Sequence, residues 1–241
     1  MDRERDPLAN AALVVAHPDD EALWFSSIVG RVSRVVVCYE DCADLPHLGP
    51  ARRAVAQAYP LSTPIWLRQP EPCVLGRVDW KHPVVTDYGL ALNAPEVDPE
   101  SDRRYQRAFE TVRTELDVAL RGFDTVFTHN PWGEYGHPDH VQVSRAVRSM
   151  QPAHGFALRY SSYTAPRSMP LAAEFLPKLV ADMTEKTNAE LFTRLKAVYR
   201  EHGGWTWDPN YEPPAQEAFL LEAPEPPSEA INLPLTCLMT V

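Results

Sequence analysis

Apolar residues in this chain gather in short runs that end at polar or proline positions. The run Ala11-Ala12-Leu13-Val14-Val15-Ala16 breaks off at His17-Pro18, the pattern of a buried strand centred on 13–16. Ala22, Leu23, Trp24, Phe25, Ile28 and Val29 then predict a helix over 20–31, whose acidic first turn suits the helix dipole. The β-branched stretch 34–39 predicts a second strand, 51–59 a short helix stopped by Pro60, and 64–68 a third strand. Tyr105, Phe109, Val112, Leu116 and Leu120 recur at helical steps and predict a helix over 102–121, closed by Gly122. A strand over 125–128, a helix over 140–150 and a strand over 157–163 follow, while 171–183 mixes helical and apolar character. Thr187 and Glu190 have capping-box spacing. The helix they open carries Leu191, Phe192, Leu195, Val198 and Tyr199 on one face and stops at Gly203-Gly204. Alternation of strand and helix predicts an α/β fold with a mostly parallel sheet flanked by helices. Residues 1–10 read as an N-terminal tail and 11–241 as one domain, with the weaker patterning in 151–241. The stretch 69–100 has no period; loops of that length are usually functional, so part of it is expected to line a substrate site.

Chemistry concentrates where two of the apolar runs end. His17, Asp19, Asp20 and Glu21 follow the first strand, where open α/β sheets place their ligands. A catalytic zinc takes three N/O ligands and keeps one open position. His17 and Asp20, three apart, can turn toward one ion, and Asp19 between them can reach a water on it. The third ligand is expected in Gly136-His137-Pro138-Asp139-His140, which follows the 125–128 run and supplies two histidines with a carboxylate between them. The competing reading, two polar turns in which Asp and Pro merely start helices, leaves the parallel sets as coincidence. His129, at a strand end, reads as structural and His82 as a surface residue. Glu134 reads as a loop acid facing either substrate or solvent.

Ala16-His17-Pro18-Asp19-Asp20-Glu21 together with Gly136-His137-Pro138-Asp139-His140 resembles the LmbE-like (PIG-L) family of zinc-dependent N-deacetylases, with clear motifs between about residues 11 and 145. The resemblance implies a Rossmann-like fold and removal of an acetyl group from an N-acetylglucosamine-like sugar, free or in a glycoconjugate. It implies His17, Asp20 and His140 as ligands to Zn2+ or another divalent metal, and Asp19 as general base. It further implies His137 as acid or stabiliser of the tetrahedral intermediate, Asp139 orienting His137, and Tyr135 assisting the oxyanion. The chain departs from the pattern at Trp24-Phe25-Ser26-Ser27, where glycines are frequent. It departs again at Arg52 and Arg53, which lack a glutamate three residues on, and at Asn130, which replaces an aspartate. These departures bear on the sugar and the pocket walls. Two alternatives remain open: an amidase of another sugar or thiol conjugate, and a non-catalytic carbohydrate- or nucleotide-binding module.

Composition narrows the partners. A formal charge of −10 argues against nucleic acid, whose phosphates call for Lys and Arg. The charged N-terminus shows no secretory leader, and no apolar run is long enough to span a membrane, so a cytoplasmic location is expected. Cys38, Cys42, Cys73 and Cys237 form no Cys-x-x-Cys pair and read as thiols in a reducing compartment. Proline, at 24 residues, is about twice its average share and falls in loops, which predicts stiff connections around the sheet. The expected partner is a small amino-sugar or glycoconjugate substrate, with a homo-oligomer left open. Trp205 and Trp207 either stack on a sugar ring or pack the last helix onto the sheet.

Overall fold

The computed structural model describes residues 6–95, 97–223 and 233–238. The part of the expected tail over 1–5 lies outside them, as does much of the proline-rich C-terminal stretch. Its strands are β1 Ala11–Val15, β2 Arg34–Tyr39, β3 Pro64–Gln69, β4 Val85–Thr86, β5 Gly89–Leu90, β6 Thr125–Thr128, β7 Ala157–Ser161, β8 Tyr163–Thr164, β9 Leu179–Lys186, β10 Gln216–Glu222 and β11 Thr236–Cys237. Its helices are α1 Asp20–Trp24, α2 Leu48–Ala58, α3 Pro99–Ala119, α4 Pro138–His154, α5 Met169–Phe175 and α6 Ala189–Glu201.

Seven strands form one sheet in the order β3-β2-β1-β6-β7-β10-β9. The five from β3 to β7 run parallel, and β10 and β9 add antiparallel at one edge. The expected α/β architecture with a mostly parallel sheet is therefore present. Strand side chains alternate between faces. Ala12, Val14, Val36 and Val126 pack with residues of α3 and α4 on one face, and Leu13, Val15, Val35, Val37 and Phe127 with residues of α1 and α6 on the other. From β1 the chain first builds outward through β2 and β3. It then returns to lay β6 on the other side of β1, with Val14 registered to Val36 on one side and Thr128 on the other. That reversal opens a crevice beyond the carboxyl ends of β1 and β6.

Several boundaries differ from expectation for identifiable reasons. The helix expected over 20–31 ends at Trp24, and turns replace it from Phe25 on. The next two backbone N–H groups are taken by a carboxylate from β10: Ser26 N and Ser27 N donate to Glu217 at 3.3 and 2.8 Å. The α6 cap is Asn188, whose side chain accepts from Leu191 N at 3.0 Å, in place of the expected Thr187. The 171–183 stretch divides into α5, a single 3-10 turn and the start of β9. Leu8, expected in the tail, is buried with the core.

Candidate metal centre and active site

The turn after β1 is compact and strained. Asp19 has φ 91, a left-handed conformation that costs a non-glycine residue about 1–3 kcal/mol. It is held there by Glu21, whose Oε2 accepts from Asp19 N at 3.2 Å. Glu21 itself is locked from beneath by the hydroxyls of Tyr59 and Tyr199, at 2.8 and 2.7 Å. Burial, against those two hydrogen bonds, raises its pKa to about 7.

The turn after β6 is longer and framed by hydrogen bonds. Asn130 Oδ1 accepts from Trp132 N and Glu134 N, while Nδ2 donates to Ser161 and to Tyr163 O. Glu134, fully buried, accepts from Asn130 N at 3.0 Å and from the Ser161 hydroxyl with one oxygen. The other meets His129 Nδ1 at 3.0 Å and His140 Nδ1 at 2.7 Å. Burial pushes the Glu134 pKa up, but the two imidazoles outweigh it and lower it to about 2. Glu134 thus faces neither substrate nor solvent; it fixes the orientation of His140. The sequence offered no sign of this, since nothing local marks a loop acid as buried.

The two turns meet at Asp20. Its Oδ2 accepts from His17 N at 2.7 Å and lies 3.3 Å from His17 Nδ1. Its Oδ1 accepts from the Trp24 indole N–H at 3.0 Å and lies 3.3 Å from His140 Nε2. His17 Nε2 is paired with Asp139 Oδ2 at 3.2 Å. With ring protons on the nitrogens that face Asp139 and Glu134, the bare lone pairs of His17 Nδ1 and His140 Nε2 both point at the Asp20 carboxylate. Buried His140 Nε2 forms no hydrogen bond among the described residues. Leaving such an atom unpaired costs about 1–3 kcal/mol, and acceptors turned toward one another call for a cation between them. Among the described residues three sets of potential ligands overlap here: His17, His137 and His140; Asp20, His129 and His140; and His17, Glu71 and Asp139. His129 is otherwise satisfied, with Ala16 N donating to its Nε2 at 2.9 Å and Glu134 at its Nδ1.

The electrostatics carry the same signal. Burial lowers the His17 pKa, but Glu71, Asp139 and Asp20 outweigh it and raise it to about 10. A proton there answers the same excess of negative charge that a metal ion would. Asp20 is held well below the usual carboxylate range, since His140 and His129 outweigh its burial. Burial first, then the Asp20 charge, push Asp19 up to about 8. His137 is driven well below its ordinary value by burial and by the neighbouring His17 and His140.

These groups floor a cavity of about 310 Å³. Asp19, Tyr135 and His137 line it, together with the Arg52–Glu71 ion pair. Leu23, Leu45, Leu48, Val74 and Leu75 add apolar lining. Part of the unreadable 69–100 stretch therefore does line the cavity. The carboxylate implied to orient His137 instead meets His17; it is the backbone N–H of Asp139 that donates to His137 Nδ1, at 3.2 Å. The Tyr135 ring lies 5.4 Å from His140 and 4.8 Å from Trp207. Of the two tryptophans, Trp205 packs on Phe192 and Tyr199 of α6, while Trp207 reaches the cavity beside Trp24. His82 is exposed and pairs with Asp79, away from these groups. Sequence reasoning missed Thr206, which donates to Asp19, and Trp24, whose indole N–H donates to Asp20.

No protein-family model matches the chain. It is 28% identical over 214 residues to a 1D-myo-inositol 2-acetamido-2-deoxy-alpha-D-glucopyranoside deacetylase of Corynebacterium kroppenstedtii, covering 79% of this chain and 47% of that protein. The chain thus spans about half the length of the curated relative it matches. Among solved structures it resembles a deacetylase–teicoplanin complex from teicoplanin biosynthesis, with a TM-score of 0.52 and 13% identity over 89% of this chain and 99% of that one. It also resembles the A40926 pseudoaglycone deacetylase, with 0.52 and 13% over 90% and 100%, and the zinc-inhibited form of teicoplanin deacetylase, with 0.53 and 13% over 89% and 99%. At these identities the structural likeness establishes the α/β fold that this chain shares with them.

Proposed function

We propose that the protein is a metal-dependent hydrolase that removes the acetyl group from an N-acetylated amino sugar, free or in a glycoconjugate. The observation that carries this reading is the convergence of two buried imidazole nitrogens on the Asp20 carboxylate, at 3.3 Å each, beside a cavity. His17, Asp20 and His140 would hold the ion, with Asp139 and Glu134 fixing the two rings from behind. Such outer partners set the tautomer and basicity of ligating histidines. Zn2+ suits this donor set, and so do other divalent ions. A bound divalent ion supplies Lewis acidity toward the amide carbonyl and lowers the pKa of water.

The remaining steps belong to the chain. Asp19, whose carboxylate lines the cavity beside Asp20, takes the proton of the attacking water and carries it to the departing amine. His137 accepts the Asp139 N–H at Nδ1, so its own proton sits on Nε2. A neutral imidazole in that tautomer donates a hydrogen bond to the developing oxyanion, which favours the stabilising role over full proton transfer. Tyr135, whose pKa burial pushes well above its ordinary value, stays protonated and can assist. The substrate class rests on the similarity to a sugar deacetylase. The apolar wall at Leu45, Leu48, Val74 and Leu75 favours an amine that carries an apolar group beyond the sugar, which keeps other amides in view.

The test is acetate release from a panel of N-acetylated sugars, nucleotide sugars and alkyl or aryl glycosides by the zinc-loaded protein beside Asp19→Asn. Release by the wild type alone supports the reading. Tight ligand binding without release by either protein would replace it with the binding module.

A further inference from the structure

We infer that Thr206 is the positioning residue for Asp19: its backbone N–H and hydroxyl together hold one carboxylate oxygen and leave the other for the attacking water. The inference rests on the reaction proposed above. Thr206 N donates to Asp19 Oδ2 at 2.8 Å and Thr206 Oγ1 donates to the same atom at 2.9 Å. No group among the described residues donates to Oδ1.

Three observations mark this contact as more than incidental. First, Asp19 stands at the N-cap of α1 yet makes no side-chain capping bond. An aspartate there ordinarily turns its carboxylate back onto the first N–H groups of the helix. Here that local option is forgone, and the carboxylate is held from outside by a residue far away in sequence. Second, Thr206 is exposed, so packing does not explain its place. Third, the strap that carries it is anchored on both sides. Gly203, at φ 74, and Gly204, where a Cβ would lie 3.0 Å from Val55, turn the chain back after α6. Trp205 then docks on α6, and Trp207 docks on Trp24 at 5.1 Å and Tyr135 at 4.8 Å. Thr206 sits between the two anchors with both donors aimed at Asp19. Without its hydroxyl, the carboxylate can swing back to cap α1, away from the cavity.

The test is a double-mutant cycle on the zinc-loaded protein, using Thr206→Val and Thr206→Ser in wild-type and Asp19→Asn backgrounds. Acetate release from the most active N-acetyl sugar gives kcat and KM, and metal content is measured in parallel. A hydrogen bond to a charged group predicts that Thr206→Val lowers kcat about 10-fold. KM and metal content should stay as in the wild type, and Thr206→Ser should recover most of the loss. In the Asp19→Asn background Thr206→Val should change nothing further. The inference is overturned if Thr206→Val is as active as wild type, if serine fails as badly as valine, or if valine costs the same factor in both backgrounds. A wild type that binds zinc but releases no acetate from any N-acetyl sugar would instead sink the proposed reaction, and this role with it.

Discussion

The turn after β1 and the turn after β6 deliver matching chemistry by opposite means. The first is short, and two of its three acids are placed at the cavity: Asp19 and Asp20 line it, while Glu21 props Asp19 from behind. The second is mostly frame. His129, Asn130 and Glu134 are wholly buried and bind one another, Ser161 and Tyr163, and only Tyr135, His137 and Asp139 reach the cavity. A short turn leaves little room for support, so its strain is held by side chains from elsewhere: Tyr59, Tyr199 and Thr206. A long turn can carry its own support. Among the described residues, two histidines are thus met by two buried carboxylates of unequal hydrogen bonding, Asp139 with His17 alone and Glu134 with His140 and three further partners.

Mutations can break or sharpen this contrast. The largest effect is expected for His140→Ala, which should lose stoichiometric zinc and all acetate release; zinc retained at one equivalent would refute the ligand assignment. Asp19→Asn comes next, with kcat lower by about 10² to 10⁴ and metal retained; an unchanged rate would remove Asp19 as the base. Glu134→Gln and Asp139→Asn should each weaken zinc binding by about 10- to 100-fold, measured by competition with a chelating dye. Only Glu134→Gln should also lower the melting temperature clearly, because it disturbs the frame of the longer turn. Equal losses of stability in the two variants would erase the contrast. Trp24→Phe removes one indole N–H from Asp20 and should cost only several-fold in zinc affinity, the smallest effect in the series.

Much of the first half was legible because its signals are local. The runs at β1, β2 and β6 are dense in Val and flanked by breakers, and the α3 stripe keeps its period from Tyr105 to Leu116. The two motifs could be placed at strand ends, and the structure brings those ends together because β1 and β6 are neighbours. The antiparallel edge was not legible. β9 is a half-exposed edge strand, in which Asp182, Thr184 and Glu185 dilute any alternation, so the 171–183 stretch that runs into it carries a mixed pattern. β10 gave no signal distinct from the proline-rich surroundings. The partners that tune the site were hidden for a related reason. Glu217 and Thr206 act through contacts across long stretches of sequence, while Glu134 bonds to residues four to six positions away, where nothing in the local pattern marks it as buried. The pair Trp205 and Trp207 shows the limit well: one packs on the helix, the other faces the cavity, and spacing alone could not divide them.

The strap at Gly203-Gly204 reaches the site from late in the chain, after α6. His17, Asp20, Glu134 and His140 all precede it, in the turns and helix starts that follow β1 and β6. During synthesis, a chain elongated only through β7 would already own the proposed ion ligands and the acid that steadies His140, but not the threonine that aims Asp19. Acquiring the metal and acquiring hydrolytic competence would then be separate events in the life of the molecule, with the second waiting for the last helix to dock.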